Sequence, residues 1–445
     1  MAHLIVRLPE EEQDLLEASE NSSEDTEVST GTNTTDDDFW LENGAGTGVV
    51  PLDPSLAGLH TYLGDCEDLT FSDSTLEDGH TCKLPVLIFP DIVLMPGCTL
   101  PLLVSNSRAH WVVEQALAAP APYACLIAVV FSQQRRMARG QIGCTAHLRK
   151  LQREDNGIWP STLKVIAEGS QRFQVVEAPR TQQTDLKWEV RVLADRPTPR
   201  LPRAVARDGA GFWAPWAWRA CDAWALADTA RRLFADVAPE VTVLQGGPVA
   251  VGDWLARNLA AGPAARQRFP GVTVLQGDPV AVGYWLARNL AAGPAARQRL
   301  LEAPTPAHRL RAIIAHLRAG AGERLLCRDC QREIGRTRDS LRITDEGPAG
   351  MFVNNTGYVH DLVALRQIRP GSVSLQGRPT AEYSWFRGYA WTIAVCSHCG
   401  AHLGWQFTSR SERLSPASFY GLRRNTLSTR PVTIRNAALD AGMLD

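Results

Sequence analysis

The sequence predicts a multidomain α+β protein made of four successive pieces and a C-terminal tail, residues 431–445. Three observations support this prediction. An acidic stretch opens the chain, two segments of strand-and-turn character flank a helical one, and four of the ten cysteines form two C-x-x-C pairs. The 445 residues are 44% apolar and 21% charged, which is close to the globular average and allows two or three domains.

The first piece, residues 1–58, is predicted to be disordered. Residues 10–38 hold 12 acids and neither Lys nor Arg, whereas residues 39–445 hold 45 basic against 36 acidic side chains, a net of +9. A segment so acidic and so poor in aromatics buries too little apolar surface to offset its ordering entropy. A solubilising tail is the favoured interpretation, and a phosphorylatable regulatory tail is the alternative. Neither a signal peptide nor a membrane span is expected.

The second piece, residues 59–195, has the pattern of a small β domain. Short segments rich in β-branched or aromatic residues are separated by Pro and Gly, at 84–89, 124–131 and 164–176. The stretch Leu84–Phe89 leads to Met95-Pro-Gly-Cys-Thr-Leu-Pro-Leu102, in which Pro96-Gly97 supplies a turn. This sequence resembles the start of the N-terminal domain of Lon proteases, and the resemblance implies a small β-barrel-like fold. A generic β domain is the alternative.

The third piece, residues 196–321, is helical by pattern. Ala223–Val237 has helical spacing, and Trp213, Trp216, Trp218 and Trp224 cluster around its start. Residues 241–259 recur almost unchanged at 272–290, a period of 31. Stacked repeat folds need at least three units. Two near-identical copies therefore indicate a recent duplication or a doubled exon, with one copy surplus to the fold.

The fourth piece, residues 322–430, is β-rich and carries the matched pairs Cys327-x-x-Cys330 and Cys396-x-x-Cys399. Each pair offers half of the tetrahedral thiolate set that zinc prefers, so one structural zinc is expected. The 65 residues between the pairs exceed the spacing of a simple ribbon, which places the pairs on two hairpins joined by a large insertion. Redox-active C-x-x-C pairs are the alternative. The six other cysteines are expected to be buried free thiols.

Aromatic side chains gather around the second thiol pair. Trp405 and Phe407 are two residues apart and share a face of a strand, whereas Trp391 and Cys396 are five apart and face opposite sides. Gly388, between Trp385 and Trp391, permits a turn or bulge. The spacing predicts an aromatic box for a neutral heterocycle or, less favoured, a methylated cation. Ordinary core packing is the alternative.

Three segments, Val353–His360, Gly377–Trp391 and His402–Phe407, resemble the cereblon family, as does the order of the parts. The resemblance implies a C-terminal all-β zinc domain, the CULT or β-tent fold, which binds cyclic imides. It implies that the four cysteines bind zinc. It also implies a pocket in which three tryptophans enclose a glutarimide ring, Phe407 forms the base, a mobile loop lies above the pocket, and further residues form its rim. The residues that it implies are Asn354 and His360 on the loop, Glu382 at the rim, Tyr383, Trp385, Trp391, Trp405 and Phe407.

The cereblon family consists of substrate receptors of a cullin-RING ubiquitin ligase, acting in the cytoplasm and nucleus. The resemblance therefore implies that the helical segment docks on the β-propeller adaptor of the damage-specific DNA-binding protein family. Protein substrates would be presented for ubiquitination and proteasomal degradation, without direct nucleic-acid binding. Three places depart from the family: Tyr383 replaces a His that hydrogen-bonds the imide, Ile393 stands where Val can occur, and Asn355-Thr356 differs from the usual loop. The alternative is a stand-alone sensor of small molecules or modified residues.

Catalysis is not expected. The chain contains no G-x-x-x-x-G-K-[ST] phosphate loop, which excludes an ATPase-protease. The zinc piece also resembles methionine-sulfoxide reductases, which need a nucleophilic Cys beyond the second pair. Thr408 and Ser409 stand in that region, and no Cys follows Cys399.

Overall fold

The structure of the protein is a computed structural model. It describes residues 49–69, 75–133, 139–154, 161–177, 187–195, 221–237, 278–319 and 324–430. The predicted acidic tail up to residue 48, the tryptophans at 213–218, the first repeat copy and the C-terminal tail lie outside the described residues.

Six α-helices lie in the described ranges. They are α1 (Pro54–Gly58), α2 (Ser107–Leu117), α3 (Ala223–Val237), α4 (Pro279–Asn289), α5 (Pro294–Glu302) and α6 (Pro306–Ala319). The helix predicted over Ala223–Val237 is confirmed with those bounds. No helix within the described ranges combines the length and the apolar character needed to cross a bilayer.

Strands form most of the remaining regular structure. The N-terminal half of the described chain holds β1 (Val50–Pro51), β2 (Glu67–Asp68), β3 (Thr81–Phe89), β4 (Thr99–Val104), β5 (Leu126–Phe131), β6 (Ile142–Glu154), β7 (Thr162–Glu177) and β8 (Lys187–Val192). The C-terminal part holds β9 (Arg324–Cys327), β10 (Glu333–Arg336), β11 (Ala349–Val353), β12 (Val359–Leu365), β13 (Val373–Thr380), β14 (Tyr389–Cys396), β15 (His402–Ser409), β16 (Leu414–Ser415), β17 (Ser418–Arg423) and β18 (Leu427–Arg430).

The Lon-like piece is a closed β-barrel. Strands β6, β5, β3, β8 and β7 pair in that order, and β7 pairs again with β6 to close the ring, while β4 and β2 extend it. Leu84, Phe173 and Trp188 lie in its interior. The predicted turn is present: Gly97 has a φ of 77° and donates its N–H to the Gly169 carbonyl at 2.8 Å. The expectation of six buried thiols was wrong for Cys221, which is exposed, and for Cys66, which is half-buried.

The helical piece packs against both the barrel and the C-terminal domain. Within the described residues the second repeat copy forms α4, which begins where the Asp278 side chain accepts a hydrogen bond from the Val280 N–H at 2.8 Å. Tyr284 on α4 donates to Asp195 and accepts from Arg309 at 2.8 Å. The first copy has Gly247 and Asp253 in place of Asp278 and Tyr284. The second copy is therefore the one whose side chains fit this place in the fold.

The C-terminal domain is all-β. A six-stranded antiparallel sheet has the order β11-β12-β17-β15-β14-β13, and a three-stranded sheet has the order β10-β9-β18. Residues 50–58, predicted as part of the disordered tail, instead form β1 and α1. They are held because β1 pairs with β16, and because Ala57 is buried against the aromatic core of this domain. That part of the disorder prediction was wrong.

A buried charge network joins the helical piece to the C-terminal domain. Asp361, on β12, has a carboxylate that is 4% exposed and contacts two arginines. Its Oδ1 accepts from Nε of Arg424 at 2.8 Å, and its Oδ2 accepts from Arg297 on α5. Arg424 also donates to the Leu290 carbonyl at 3.1 Å. One carboxylate thus compensates two guanidinium groups from different parts of the fold.

We expect Asp361→Asn to lower the free energy of unfolding by about 3–5 kcal/mol, because it leaves two buried guanidinium groups uncompensated. Urea denaturation of the full chain measures the change. Asp68→Asn is the matched control: Asp68 pairs with Lys150 at 3.3 Å but is 82% exposed, so its loss should cost less than about 1 kcal/mol. Equal effects of the two substitutions would contradict the ion-pair interpretation.

Gly404 lies on β15 directly against the backbone of β17. Its φ is 148°, and a Cβ there would lie 2.1 Å from the Gly421 carbonyl oxygen. Any larger residue would push the two strands apart beside Trp405.

We expect Gly404→Ala to destabilise the zinc-loaded protein by more than about 3 kcal/mol. The φ angle of residue 404 is unfavourable for alanine, and the backbone of β17 would also have to move away from the new methyl group. Gly377→Ala is the control, since Gly377 has a φ of 80° but nothing within 4 Å of its ideal Cβ. It should cost about 1 kcal/mol. Thermal melts of the two variants give the comparison, and similar melting temperatures would contradict the steric argument.

Candidate functional site

Two matched turns present the four thiols of the C-terminal domain. Cys327 ends β9 and Cys396 ends β14. In both turns the cysteine N–H donates to the carbonyl five residues further on at 2.8 Å. In both, the cysteine carbonyl accepts from the N–H four residues on, that of Gln331 or Gly400, and these residues have φ values of 61° and 75°. Each turn therefore directs its two thiols to one point.

The thiols meet in one cluster. All four Sγ atoms lie within 4.8 Å of one another, with 3.6 Å between Cys327 and Cys399 and between Cys330 and Cys396. Four thiolates about 2.3 Å from one zinc in a tetrahedron would be about 3.8 Å apart, so the arrangement fits zinc. Burial raises the pKa of the Cys327 thiol, so zinc binding at neutral pH displaces a proton from it.

Strands β14, β15 and β17 build the aromatic face predicted beside the zinc cluster. Trp391 lies opposite Phe407 and Ile393 lies opposite Trp405, so these four side chains share one face of the sheet. Trp391 packs against the aromatic core, whereas Cys396 belongs to the core on the other side, as the spacing predicted. Phe407 is 1% exposed and Trp405 is 8% exposed. The sheet thus supplies a rigid base of aromatic rings.

The connection between β13 and β14 folds over this face and adds Trp385. Its indole is 8% exposed and meets Trp405 edge to face, with ring centroids 4.9 Å apart. Its N–H donates to the Val353 carbonyl at 2.9 Å. The half-buried Trp391 donates its indole N–H to the Glu382 carbonyl at 2.8 Å. Both indoles are therefore fixed in place by main-chain oxygens and present ring surface rather than free N–H groups.

A glycine allows the connection between β13 and β14 to turn back into the sheet just before β14 begins. Gly388 has a φ of 80°, and its ideal Cβ would lie 2.7 Å from Leu414. Glu382 and Tyr383 lie on the exposed side of the same connection, and Tyr383 is 65% exposed with a φ of 53°. The Tyr383 ring is thus directed outward, away from the aromatic core.

Asn354 lies in the turn between β11 and β12. Its Oδ1 accepts from the N–H groups of Thr356 at 3.2 Å and Tyr358 at 2.8 Å, which fixes the turn. The Tyr358 hydroxyl donates to Asp91 of the barrel piece at 2.8 Å. A hydrogen bond therefore connects the turn, predicted to lie above the aromatic residues, to the barrel piece.

His360 was expected on the same loop, but the structure places it on β12, 2% exposed. Its ring is 4.8 Å from Trp405 and 5.7 Å from Trp385, so it packs beside these two tryptophans on the same face of the sheet. Neither ring nitrogen has a hydrogen-bond partner among the described residues. Burial lowers the pKa of His360 well below its ordinary value, and nearby Arg423 adds to this. The ring is neutral at physiological pH.

Several contacts of the site could not be predicted from the sequence. Val353 supplies the carbonyl that fixes Trp385 and an N–H that donates to the Tyr62 hydroxyl at 3.1 Å. Tyr62 is 291 residues away, and Asp91 is 267 residues from Tyr358. A hydrogen bond to a main-chain group does not depend on the type of side chain, so the residue type at that position does not reveal it. Tyr62 is too distant in sequence for any short spacing to connect it with the aromatic residues.

Comparison with protein families gives two matches. Residues 83–319 match the substrate-binding domain of the ATP-dependent protease La (Lon). Residues 323–436 match the Yippee zinc-binding/DNA-binding and Mis18 centromere-assembly family. With the four-thiol cluster, the second match assigns one structural zinc ion to the C-terminal domain.

Whole-chain relatives agree with this division. The chain is 28% identical to protein cereblon of Gallus gallus over 424 residues, covering 86% of each chain. It is 28% identical to protein cereblon of Xenopus tropicalis, again with 86% of each chain covered. It is 26% identical to protein cereblon of Danio rerio over 94% of this chain and 93% of that one. The similarity therefore spans the barrel, the helices and the zinc domain together.

Proposed function

The chain belongs to the Lon substrate-binding domain family and to the cereblon proteins, and from this premise we propose that it is a substrate receptor of a cullin-RING ubiquitin ligase. In this proposal the aromatic face holds a cyclic imide, such as a glutarimide ligand or a modified end of a target protein. The ligase then ubiquitinates the target, which is degraded. The receptor itself does no chemistry and acts by holding its target near the transferring enzyme.

The observation that carries the proposal is the arrangement of three tryptophans beside the zinc cluster, two on the sheet and Trp385 on the connection that folds over it. Trp385 and Trp405 are held edge to face, and Trp391 closes one side while remaining half-exposed. The indole N–H groups of Trp385 and Trp391 are already used by main-chain oxygens, so these walls offer apolar ring surface. Such walls suit a small, flat ring that stacks on or between indoles.

Roles within the site follow from position. We assign the walls to Trp385, Trp391 and Trp405 and the base to Phe407. The carbonyl of Glu382 is occupied by Trp391, so main-chain atoms near Tyr383 are the nearer candidates for hydrogen bonds to the imide. The Tyr383 side chain is directed outward, so in this proposal the presence of Tyr where the cereblon family has His leaves such backbone hydrogen bonds unchanged. Asn354, in the turn above, and the exposed Tyr383 are placed to contact a protein presented beside the ligand.

The proposed partners are the β-propeller adaptor of the damage-specific DNA-binding protein family and protein substrates, in cytoplasm and nucleus. The alternative is a stand-alone sensor that uses the same aromatic face without a ligase. Co-purification separates the two. The tagged full chain should retain the adaptor at near one-to-one stoichiometry from a cell extract and promote ubiquitination of a target only with a glutarimide ligand present. Ligand binding without adaptor retention would favour the sensor.

A further inference from the structure

The zinc domain has one sheet edge that no other strand of the described structure covers. Its six-stranded sheet ends on β11 and on β13. β11 lies against β4 of the barrel, and the turn after β11 comes so close that an ideal Cβ on Gly357 would lie 2.7 Å from the Leu103 carbonyl oxygen. β13 pairs only with β14, and residues 374–379 are all exposed. Within the described residues, β13 is therefore the open edge of this sheet.

The hydrogen-bond pattern shows which main-chain groups of β13 are unpaired. In an antiparallel pair, the main-chain groups of successive residues alternately face the neighbouring strand and point away from it. The Ser397 N–H donates to the Ser372 carbonyl at 3.1 Å, so Ser372 faces β14 and Val373 does not. Cys396, which lies opposite Val373, accordingly donates its N–H on the other side of β14, at 2.8 Å. The N–H and C=O groups of Val373 and Leu375 therefore point away from β14, and no described main-chain group pairs with them.

The first half of β13 is open to a further strand, whereas the second half is not. Residues 373–376 contain neither a charge nor a proline, and Leu375 is 47% exposed. The register with β14 shifts between Gln376 and Thr380, and Pro379 has no N–H. A bulge and a proline are features by which natural sheets block the pairing of their edge strands. The unblocked half therefore offers the outward N–H and C=O groups together with an exposed apolar side chain.

The charge beside this open half favours an acidic occupant. Arg378 is exposed and forms no ion pair with a described carboxylate, and Glu382, which follows on the same connection, is not paired with it. Thr380 lies opposite Trp391 on β14, so a chain docked along β13 lies next to a wall of the aromatic face. An occupant with a carboxylate near Arg378 would complement the charge of this edge beside the proposed ligand site.

We propose that the open half of β13 is a docking site for an extended, acidic segment of the target protein, which adds to the sheet as a further strand. The proposal rests on the proposed function, because the target is the protein that such a receptor presents. The segment pairs with the main-chain groups of Val373 and Leu375, packs an apolar side chain against Leu375, and places an Asp or Glu near Arg378. Main-chain pairing depends little on side-chain sequence, so targets with unrelated sequences fit the same edge.

Fluorescence anisotropy of the full, zinc-loaded chain tests the proposal. The probe is a labelled peptide, Asp-Gly-Thr-Val-Thr-Val-Thr-Gly-Asp, which places an acid near Arg378 in either strand direction. One matched probe carries N-methyl groups on its five central residues, and another has Asn in place of Asp. We expect saturable binding of the first peptide. The N-methylated peptide, which lacks the N–H donors, should bind at least about tenfold more weakly, and the Asn peptide should bind several-fold more weakly.

Variants of β13 test the same edge from the side of the protein. Leu375→Pro removes an N–H that points away from β14, where an edge strand tolerates proline, and should lower peptide affinity at least about tenfold. Ser374→Ala, on the same strand, is the control and should bind like the wild type. Arg378→Gln should abolish the preference for Asp over Asn in the peptide.

Glutarimide affinity separates this proposal from the proposed function. Leu375→Pro should leave it unchanged, and peptide binding by a wild-type chain that binds no glutarimide would contradict the proposed function alone. No saturable peptide binding, equal affinity for the N-methylated peptide, or an equal loss in Ser374→Ala would overturn the docking site. So would a wild-type dimer in sedimentation that Leu375→Pro abolishes, because the edge would then hold a second copy. If Leu375→Pro fails to fold, the N-methylated and Asn peptides still decide.

Discussion

Trp391→Ala is expected to weaken glutarimide binding by at least about 30-fold, because removing a central aromatic contact typically costs 2 kcal/mol or more. Trp391 is the wall residue best suited to this test. It is half-buried, whereas Trp385 and Trp405 are each 8% exposed and Phe407 is 1% exposed, so truncating those would damage the core. Isothermal titration of the full chain with a glutarimide ligand measures the effect.

Trp111→Ala is the matched control for this prediction. Trp111 lies on α2 and is also half-buried, but it packs against the barrel and helical core rather than the aromatic face. Its loss should lower the melting temperature without changing ligand affinity. Zinc content should stay at one ion per chain in both variants. Glutarimide affinity unchanged by Trp391→Ala would remove the aromatic face as the ligand site.

Cys396→Ser is expected to remove zinc and unfold the C-terminal domain. The zinc cluster is where the β9–β10 hairpin and the β14–β15 hairpin are joined through side chains, and a serine hydroxyl is a poor zinc ligand. Structural zinc contributes on the order of 10 kcal/mol in small zinc domains, more than most domains have in reserve. Zinc analysis and near-ultraviolet circular dichroism give the two readouts.

Cys66→Ser tests whether thiol loss alone has this effect. Cys66 is a free, half-buried cysteine of the barrel piece, far from the cluster in sequence, so one zinc per chain and a native spectrum should remain. Chelation of wild-type protein should reproduce the Cys396→Ser spectrum. A folded C-terminal domain after complete zinc removal would show that the ion is dispensable for stability.

The local parts of the fold and site were predictable because their signals lie in short spacings. Two residues separate Trp405 from Phe407, which placed both on one face, and the C-x-x-C pairs indicated their turns. The helix Ala223–Val237 followed from apolar periodicity.

Contacts between distant residues were not predictable. Nothing near Asp361 in the sequence indicates Arg297, which is 64 residues away. The burial of His360 depends on packing against two tryptophans, and a His two residues after a turn is equally compatible with a loop. Residues 50–58 follow an acidic stretch rich in Ser, Thr and Gly and were assigned to the same tail, and what orders them is a surface on the C-terminal domain. Each of these properties arises from tertiary packing rather than from local pattern.

The close approach of Trp385 and Trp405 also gives the site an optical signature. Their ring centroids are 4.9 Å apart and their planes meet at 82°. Electronic transitions of rings this close couple, so the pair should produce two circular dichroism bands of opposite sign. The chain has 13 tryptophans, which dilute an ordinary emission signal, but this couplet depends on separation and angle within the pair. A ligand that wedges against either indole would therefore change the couplet, and the protein can report occupancy without a label.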